Sequence, residues 1–538
     1  MNTMNNFVKA NVLKSGTSYT ENGAKSYATS GSKLIDQFAH AGTARGRNVN
    51  DVWTEQATIW GEDALMALRF PFYLRMITRQ SNIVGGEKTE KVQKGQGAKD
   101  EAFKRLLWIA NYHPDEFYRN LWLLPVVGSW KDLWVLLAMD DSLNKEKFFD
   151  VIAMGINDPN HKDLVKKYLP RIRSNRVCTT DWAKKTNQLA KEFAHYAGWS
   201  MRDYREFKST GKAHEFQRVI CARDYKHINW NMIPGKALLS LVSGNFLYKH
   251  NLTDSYYNWL KNQPIAKFNG YPYELGMKLH QYGKYCDIPA ITKLTVDKQF
   301  NSLIELAKKD EGGIKGNVLC ALDTSASMND PISGGPAGLT SYDVCISLGI
   351  YFSELNTGEF HNVVAMFDDN SKLLTLKGDS FTDKWVQIRQ SSTAWGSTNY
   401  MSLIHMLCKT RENHPEIPLE DFPTTLLVVS DMQFNPTYRG NSNYEETMRL
   451  LKAYFPDEWV DNFKIIWWQC ANRWGAVQDV PATMDCGGQY LFSGFDGSVV
   501  TLLLSGETKV DENGNKVKPT MEEMVQTALT QEVLLLVQ

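Results

Sequence analysis

The segment Asp323-Thr324-Ser325-Ala326-Ser327 presents a carboxylate and two hydroxyls within five residues, a D-x-S-x-S pattern directly after the apolar run NVLCALD (317–323). Hard oxygen donors with no histidine or cysteine among them suit Mg²⁺, with Mn²⁺ and Ca²⁺ as alternatives. Two later loops offer further oxygens: GSTNY (396–400) places Thr398 just ahead of a helical run, and Asp431 ends the apolar run TTLLVVSD (424–431). Parallel strands open their C-terminal ends onto one crevice, so the three loops are expected at the same sheet edge. A competing reading makes Asp323 and the serines simple caps of the segment that follows, because Ser and Asp are common in turns. Three loops at matching strand ends favour the cation. No nucleophile with an attendant base accompanies the trio, so the cluster reads as recognition, not catalysis, and no catalytic residue is assigned.

Charge supplies the second signal. The chain carries 60 basic and 60 acidic side chains, a net charge of zero, so any nucleic-acid surface must be a local patch. Between residues 162 and 236 seventeen Lys and Arg stand against seven acids, an excess of ten. The candidate phosphate contacts are Lys184, Lys185, Arg202, Arg205, Lys208, Lys212, Arg218, Arg223 and Lys226. Trp199, Tyr204, Phe207, Phe216 and Tyr225 interleave with them, and aromatic faces stack on unpaired bases. Any one of these residues alone is as readily a solvated helix face or a core aromatic. The clustering carries the reading. GGEKTEKVQKGQGAK (85–99) has glycines and lysines without G-x-x-x-x-G-K-[ST], so it is no phosphate-cradling loop and is expected to be an exposed, mobile one.

The elements that must position these groups follow two patterns. From about 31 to 310 apolar residues recur at helical spacing, as in EDALMALRFPFYLRMITR (62–79), AKDEAFKRLLWIANY (98–112) and DWAKKTNQLAKEFAHYA (181–197). From 317 short apolar blocks alternate with amphipathic helices, and four of the blocks are apolar on both faces, as central parallel strands are. The expected division is a tail or strap over 1–30, an all-α helical-repeat domain over 31–310, and an α/β domain over 311–538 that begins with the glycine-rich linker EGGIKG. The strap, if formed, is expected over the α domain.

The chain has 538 residues, 43% hydrophobic and 22% charged, which excludes wholesale disorder. Its eight cysteines form no C-x-x-C pair and mostly sit in apolar runs, which reads as buried thiols in a reducing compartment. No stretch reaches the roughly 18 apolar residues of a membrane span, and no secretory signal opens the chain. A cytoplasmic protein with no membrane partner is expected.

The D-x-S-x-S loop with Thr398 and Asp431 resembles the metal-ion-dependent adhesion site of von Willebrand factor A domains. That resemblance implies Asp323, Ser325, Ser327, Thr398 and Asp431 as the ligands of one divalent cation, Mg²⁺ first. Several other segments resemble the TROVE module of the Ro autoantigen family and its relatives: TENGAKSYATSGSKLIDQF (20–38), the stretch 94–134 with its turn Gly128-x-Trp130-x-Asp132-Leu133, MIPGKALLSLVSGN (232–245), SDMQF (430–434) and LFSGFDGSVVTLLL (491–504). The resemblance implies a HEAT-like helical ring closed by the A domain and binding small, structured or misfolded RNA, without enzymatic activity. A second expectation is a metal-dependent adaptor that docks an acidic protein partner, or an AAA+ ATPase, on the cation. A third, more distant, is a metal-assisted phosphoesterase.

Overall fold

The computed structural model describes residues 16–211, 215–282, 287–311, 313–314, 316–392, 395–471, 480–500, 509–510, 516–517 and 519–538. The chain divides into two compact units. The first holds residues up to 51, then 57–62 and 263–528; the second holds 52–56, 63–262 and 529–538.

Two three-residue strands, Thr17–Tyr19 (β1) and Lys25–Tyr27 (β2), form an antiparallel hairpin in the first unit. Its turn is closed by Gly23 N–H donating to the Thr20 carbonyl at 2.8 Å, with Gly23 at φ 88°. The main sheet of that unit has six strands: Val318–Asp323 (β3), Val363–Phe367 (β4), Ser371–Thr375 (β5), Thr425–Ser430 (β6), Lys464–Gln469 (β7) and Gln489–Ser493 (β8). Their spatial order is β5-β4-β3-β6-β7-β8, all parallel except β5, which runs antiparallel on the edge beside β4. This is the doubly wound, von Willebrand factor A-like arrangement. Winding proceeds outward from β3 to β5, then returns to the other side of β3 for β6. The C-terminal ends of β3 and β6 therefore flank the switch point, where open α/β sheets leave a crevice.

Both strands at the switch are buried along their whole length, as strands covered on two faces must be. The helix Ser341–Leu355 follows the β3 loop and is buried on nearly every position. Its start is held by a capping box in which Thr340 and Asp343 satisfy each other's backbone N–H groups. The opposite face of that helix is met by Pro272–His280, where His280 Nδ1 lies 3.0 Å from both oxygens of Asp343.

The second unit is helical. The periodic runs fold as the helices Ala64–Arg75, Lys99–Tyr112 and Asp181–Tyr196, with further helices at Lys131–Met139, Lys145–Asn157, Lys162–Tyr168 and Met201–Ser209. Consecutive helices contact one another along the array, each burying one stripe, as helical repeats do. The Gly128-to-Leu133 turn is a buried ionic node. Asp132 is fully buried and receives Arg75 Nη2 at 2.6 Å and Lys99 Nζ at 3.2 Å, while Ser129 N–H donates to it at 2.8 Å. Trp130 lies against Gly155, where an added Cβ would come within 2.1 Å of the indole.

The units do not follow the expected boundaries at 31, 310 and 311. Lys33–His40 belongs with the sheet because Phe38 stacks edge-on against Phe492 of β8 at 5.6 Å and Gly42 N–H donates to Ser493 Oγ at 3.1 Å. The helix Ala290–Glu311 joins the same unit through Phe300 on Phe381, ring centroids 4.6 Å apart. At the other end, Gln531 brackets Lys94, its amide donating to the Lys94 carbonyl and its oxygen accepting from the Lys94 N–H, both at 2.7 Å, which ties the last residues to the helical unit. The strap expected over the α domain lies instead on the loops of the sheet unit. The segment 85–99, expected to be an exposed loop, buries Val92 to Gln96 because that Gln531 clamp covers it. Cys178, Cys320, Cys345, Cys408 and Cys470 are buried thiols, whereas Cys221 is exposed and Cys486 half-buried; Cys286 lies outside the described residues. No helix among the described residues is long and apolar enough to cross a membrane.

Candidate functional sites

At the switch point three loops are stitched together by backbone bonds. Ala326 N–H donates to the Gly396 carbonyl at 3.0 Å, Thr324 N–H to Phe367 at 2.9 Å, and Asn435 N–H to Thr398 at 2.9 Å. Gly396 sits at φ 135°, and a Cβ there would crowd Asp368 and Asp369. Asp323, Ser325, Thr398 and Asp431 are each at most 2% exposed, and Ser327 is half-buried. The Ser325 and Ser327 hydroxyls are 3.2 Å apart. Asp323 accepts from Ser325 N–H at 2.9 Å and from the Ser430 hydroxyl at 2.5 Å. Ser430 in turn accepts from Met432 N–H at 2.9 Å, which requires Met432 to take φ 64°, a left-handed conformation that costs a non-glycine residue energy and tends to mark functional loops.

The two carboxylates oppose each other electrostatically. Burial pushes the Asp323 carboxyl up to about 7, the charge of Asp431 adds to the rise, and the hydrogen bonds from Ser325 and Ser430 counter it. Beneath them, burial holds the Cys470 thiol well above its ordinary value, with Cys345 and both aspartates adding to the effect. A buried carboxylate pair with the Ser325 and Ser430 hydroxyls on Asp323 offers hard oxygens of the kind a divalent cation takes, and a cation there would remove the repulsion. Among the described residues no three His, Cys, Asp or Glu side chains converge on a metal position.

The β1–β2 turn lies on the same loops. Thr20 Oγ1 donates to the Phe434 carbonyl at 2.7 Å and Glu21 N–H to Gln433 Oε1 at 2.7 Å. Asn22 Nδ2 donates to the Gln433 carbonyl at 2.5 Å and, more weakly, to Thr398 Oγ1 at 3.5 Å. Lys25 pairs with Glu445 at 3.1 Å. The turn thus touches one of the five candidate ligands directly. Sequence reasoning missed Ser430 and Asn22; Ser430 was readable as the polar residue preceding Asp431, whereas Asn22 carried no local signal.

In the helical unit two cavities adjoin. One, of about 530 Å³, is lined by Lys131, Trp134, Lys167, Tyr168, Leu169, Pro170, Arg171, Arg173, Trp182, Ala183, Thr186, Lys208 and Gln217. The other, of about 830 Å³, is lined by Arg171, Ile172, Arg173, Tyr204, Arg205, Lys208, Ser209, Phe216, Gln217, Arg218, Ile220 and Cys221. Arg171, Arg173, Lys208 and Gln217 line both, so they form one cleft. Seven cations line it and no carboxylate does. Lys208 is fixed by donating to the carbonyls of Lys166 and Lys167 at 3.1 and 3.2 Å, and burial, with Arg171 beside it, lowers its pKa to about 8.

Of the nine basic candidates, the structure brings Arg205, Lys208 and Arg218 to this cleft. Lys184 pairs with Asp181 at 3.1 Å and Lys185 with Asp141 at 2.9 Å, so local acids take up their charge. Arg202, Arg223 and Lys226 are exposed but line neither cavity, and Lys212 lies outside the described residues. Lys131 and Trp182 were missed as site residues; Lys131 stands outside the basic window in sequence and enters only through helix pairing.

Two domain families span most of the chain. Residues 317–534 match a domain of unknown function, DUF7788, which begins one residue before β3, and residues 20–218 match another, DUF2828. An uncharacterized protein of Acanthamoeba polyphaga mimivirus is 23% identical over 526 residues, 91% of this chain and 85% of that one. The crystal structure of the Deinococcus radiodurans Ro (RSR) protein aligns with a TM-score of 0.42 at 14% identity, covering 88% of this chain and 98% of that chain.

Proposed function

We propose that the chain is a non-enzymatic RNA-binding protein of the Ro type, taking up small or misfolded RNA on the basic face of its helical unit. The observation that carries this reading is the cleft with seven cations, no carboxylate and the aromatic rings of Tyr168 and Trp182. Trp182 is 45% exposed, so its indole is open to a base. Such a surface neutralises phosphates through Arg and Lys while unpaired bases stack on the rings.

The sheet unit, on this reading, carries a divalent cation, Mg²⁺ first. Asp323 and Asp431 supply the charge, Ser325, Ser327 and Thr398 neutral oxygens. The cation would give a Lewis-acidic point for an oxygen of a partner. The residues of the chain itself hold the loops in register, exclude water from the carboxylate pair and orient the hydroxyls.

The test is a fluorescence titration with single-stranded and structured small RNA over a series of salt concentrations, with and without chelator. If about five or six phosphates are neutralised, log affinity falls against log salt with a slope of roughly −3.5 to −4 for single strands. Reversing Arg171, Arg173, Arg205 and Arg218 together weakens binding and flattens that slope, while reversing Lys184 and Lys185 does little. Chelation leaves affinity nearly unchanged. No binding to any RNA at low salt refutes the reading.

A further inference from the structure

The cleft is concave and small. Its two lobes, about 530 and 830 Å³, fall in the size range of small-ligand pockets, which admits one or two nucleotides and no duplex. The waist between the lobes is made by Arg171, Arg173 and Lys208, the cations lining both. Three cations at one constriction with no lining acid form an excess that one internal phosphodiester, with its single charge, leaves largely uncompensated. A terminal phosphomonoester carries nearly two charges and three acceptor oxygens, and planar guanidinium forks engage such an oxygen set in pairs. The flanking lobe offers the rings of Tyr168 and Trp182 to the adjoining base, whereas the other lobe has an apolar floor of Ile172, Tyr204, Phe216 and Ile220.

From this arrangement we infer that the cleft is an end-binding pocket: it takes the phosphorylated terminus of a single strand of RNA, with the phosphomonoester at the Arg171–Arg173–Lys208 waist and the terminal base in the aromatic lobe. The inference rests on the RNA reading above and sharpens it from a surface to a terminus. Arg171 and Arg173 are both exposed in the described unit, so neither guanidinium is part of the core. Lys208, anchored by two helix carbonyls, is the fixed member of the three. Burial, and after it the charge of Arg171 nearby, lowers the pKa of Lys208.

The experiment uses the full chain and four short oligouridylates, unable to form duplex, with label placed at the opposite end from the one varied: 5′-phosphate against 5′-hydroxyl, and 3′-phosphate against 3′-hydroxyl. Fluorescence anisotropy at fixed salt is expected to show one phosphorylated terminus bound about tenfold more tightly than its hydroxyl counterpart, the gain of one to two charge-assisted hydrogen bonds. The arm that shows it identifies which end is read. In the Arg171→Gln, Arg173→Gln double variant that preference should fall below about twofold while residual, salt-sensitive binding persists and the melting temperature is unchanged. Alkylation of the exposed Cys221, a wall of the second lobe, should slow on adding the preferred oligomer. Equal binding of phosphorylated and hydroxyl ends in both arms, or a preference that survives the double variant, overturns the end-binding inference and leaves RNA binding standing. Failure of all four oligomers and of a structured RNA to bind at low salt overturns both.

Discussion

Replacing Asp431 with Asn tests whether the buried carboxylate pair stores repulsion that a cation relieves. The variant keeps an oxygen for the Gln433 N–H, which donates to Asp431 Oδ1 at 3.1 Å, and removes only the charge. The Asp323 carboxyl stands near 7 against an ordinary 3.8, a rise worth at most about 4 kcal/mol at 1.36 kcal/mol per pK unit. Part of that comes from burial and part from Asp431, so the variant should recover a fraction of it. Because the folded state holds this proton more tightly than the unfolded state, stability without metal rises as pH falls from 8 through 7 towards 4. In chelator at pH 8 the Asn variant should therefore melt above the native protein, and the difference should close by pH 5. Millimolar Mg²⁺ should reverse the order, because a ligand at a hundredfold excess over its dissociation constant adds about 2.7 kcal/mol to the state that binds it. Thermal unfolding followed by tryptophan fluorescence includes this unit through Trp467 and Trp468, both buried on β7, and the difference between variant and native protein isolates its share. A variant that melts below the native protein in chelator at pH 8, or gains as much from Mg²⁺, refutes the argument.

Asp132→Ala should cost about 3–5 kcal/mol in denaturant unfolding, because it strands the guanidinium of Arg75, which is only 7% exposed; a loss under about 1 kcal/mol would show that the node is dispensable. His280 should confer pH-dependent stability. Its hydrogen bond to Asp343 raises its pKa above the ordinary 6.5, against the opposing effect of burial. The stabilisation is then complete below pH 6.5 and lost as pH rises through the raised value. The gap in melting temperature between native protein and His280→Gln should shrink from pH 6 to pH 9; a gap independent of pH would contradict the ion pair.

Strands apolar on both faces announce themselves. The runs 317–323 and 424–431 fold as Val318–Asp323 and Thr425–Ser430, the runs 98–112 and 181–197 fold as helices within a residue of their expected ends, and the run 62–79 ends its helix at Arg75, four residues early. Parallel strands all open their C-terminal ends on one sheet edge, so the placement of Asp323 and Asp431 at that edge was legible too, whereas the strand order was not. The β1–β2 hairpin was not. Its three-residue strands have no apolar alternation, and side-chain bonds to Gln433, Phe434 and Glu445 hold it in place. The helix Phe381–Ser391 was overlooked because its buried Phe381, Trp385 and Ile388 are sparse among polar residues. Basic composition found the right region of the helical unit but chose among its residues poorly. Local partners such as Asp181 and Asp141 decide which lysines are neutralised, and one of them lies more than forty positions away from its lysine.

The hairpin contacts join residues 414 and 420 positions apart, and the Gln531 clamp reaches back 437 positions. On the ribosome this order of events matters. At about 5–20 residues per second, the first strands wait tens of seconds for the loops they bind, and the helical unit emerges long before its closing segment. The hairpin meets its loops only once residues 433–445 have emerged, and the helical unit meets its clamp only once Gln531 has. The first thirty described residues and the long helical array therefore spend most of synthesis with unmatched surface, the condition under which nascent chains engage chaperones. A chain interrupted near residue 500 would lack the clamp on Lys94 and also the buried Met521, Met524 and Val525 of the sheet unit, so premature termination should leave both units incomplete.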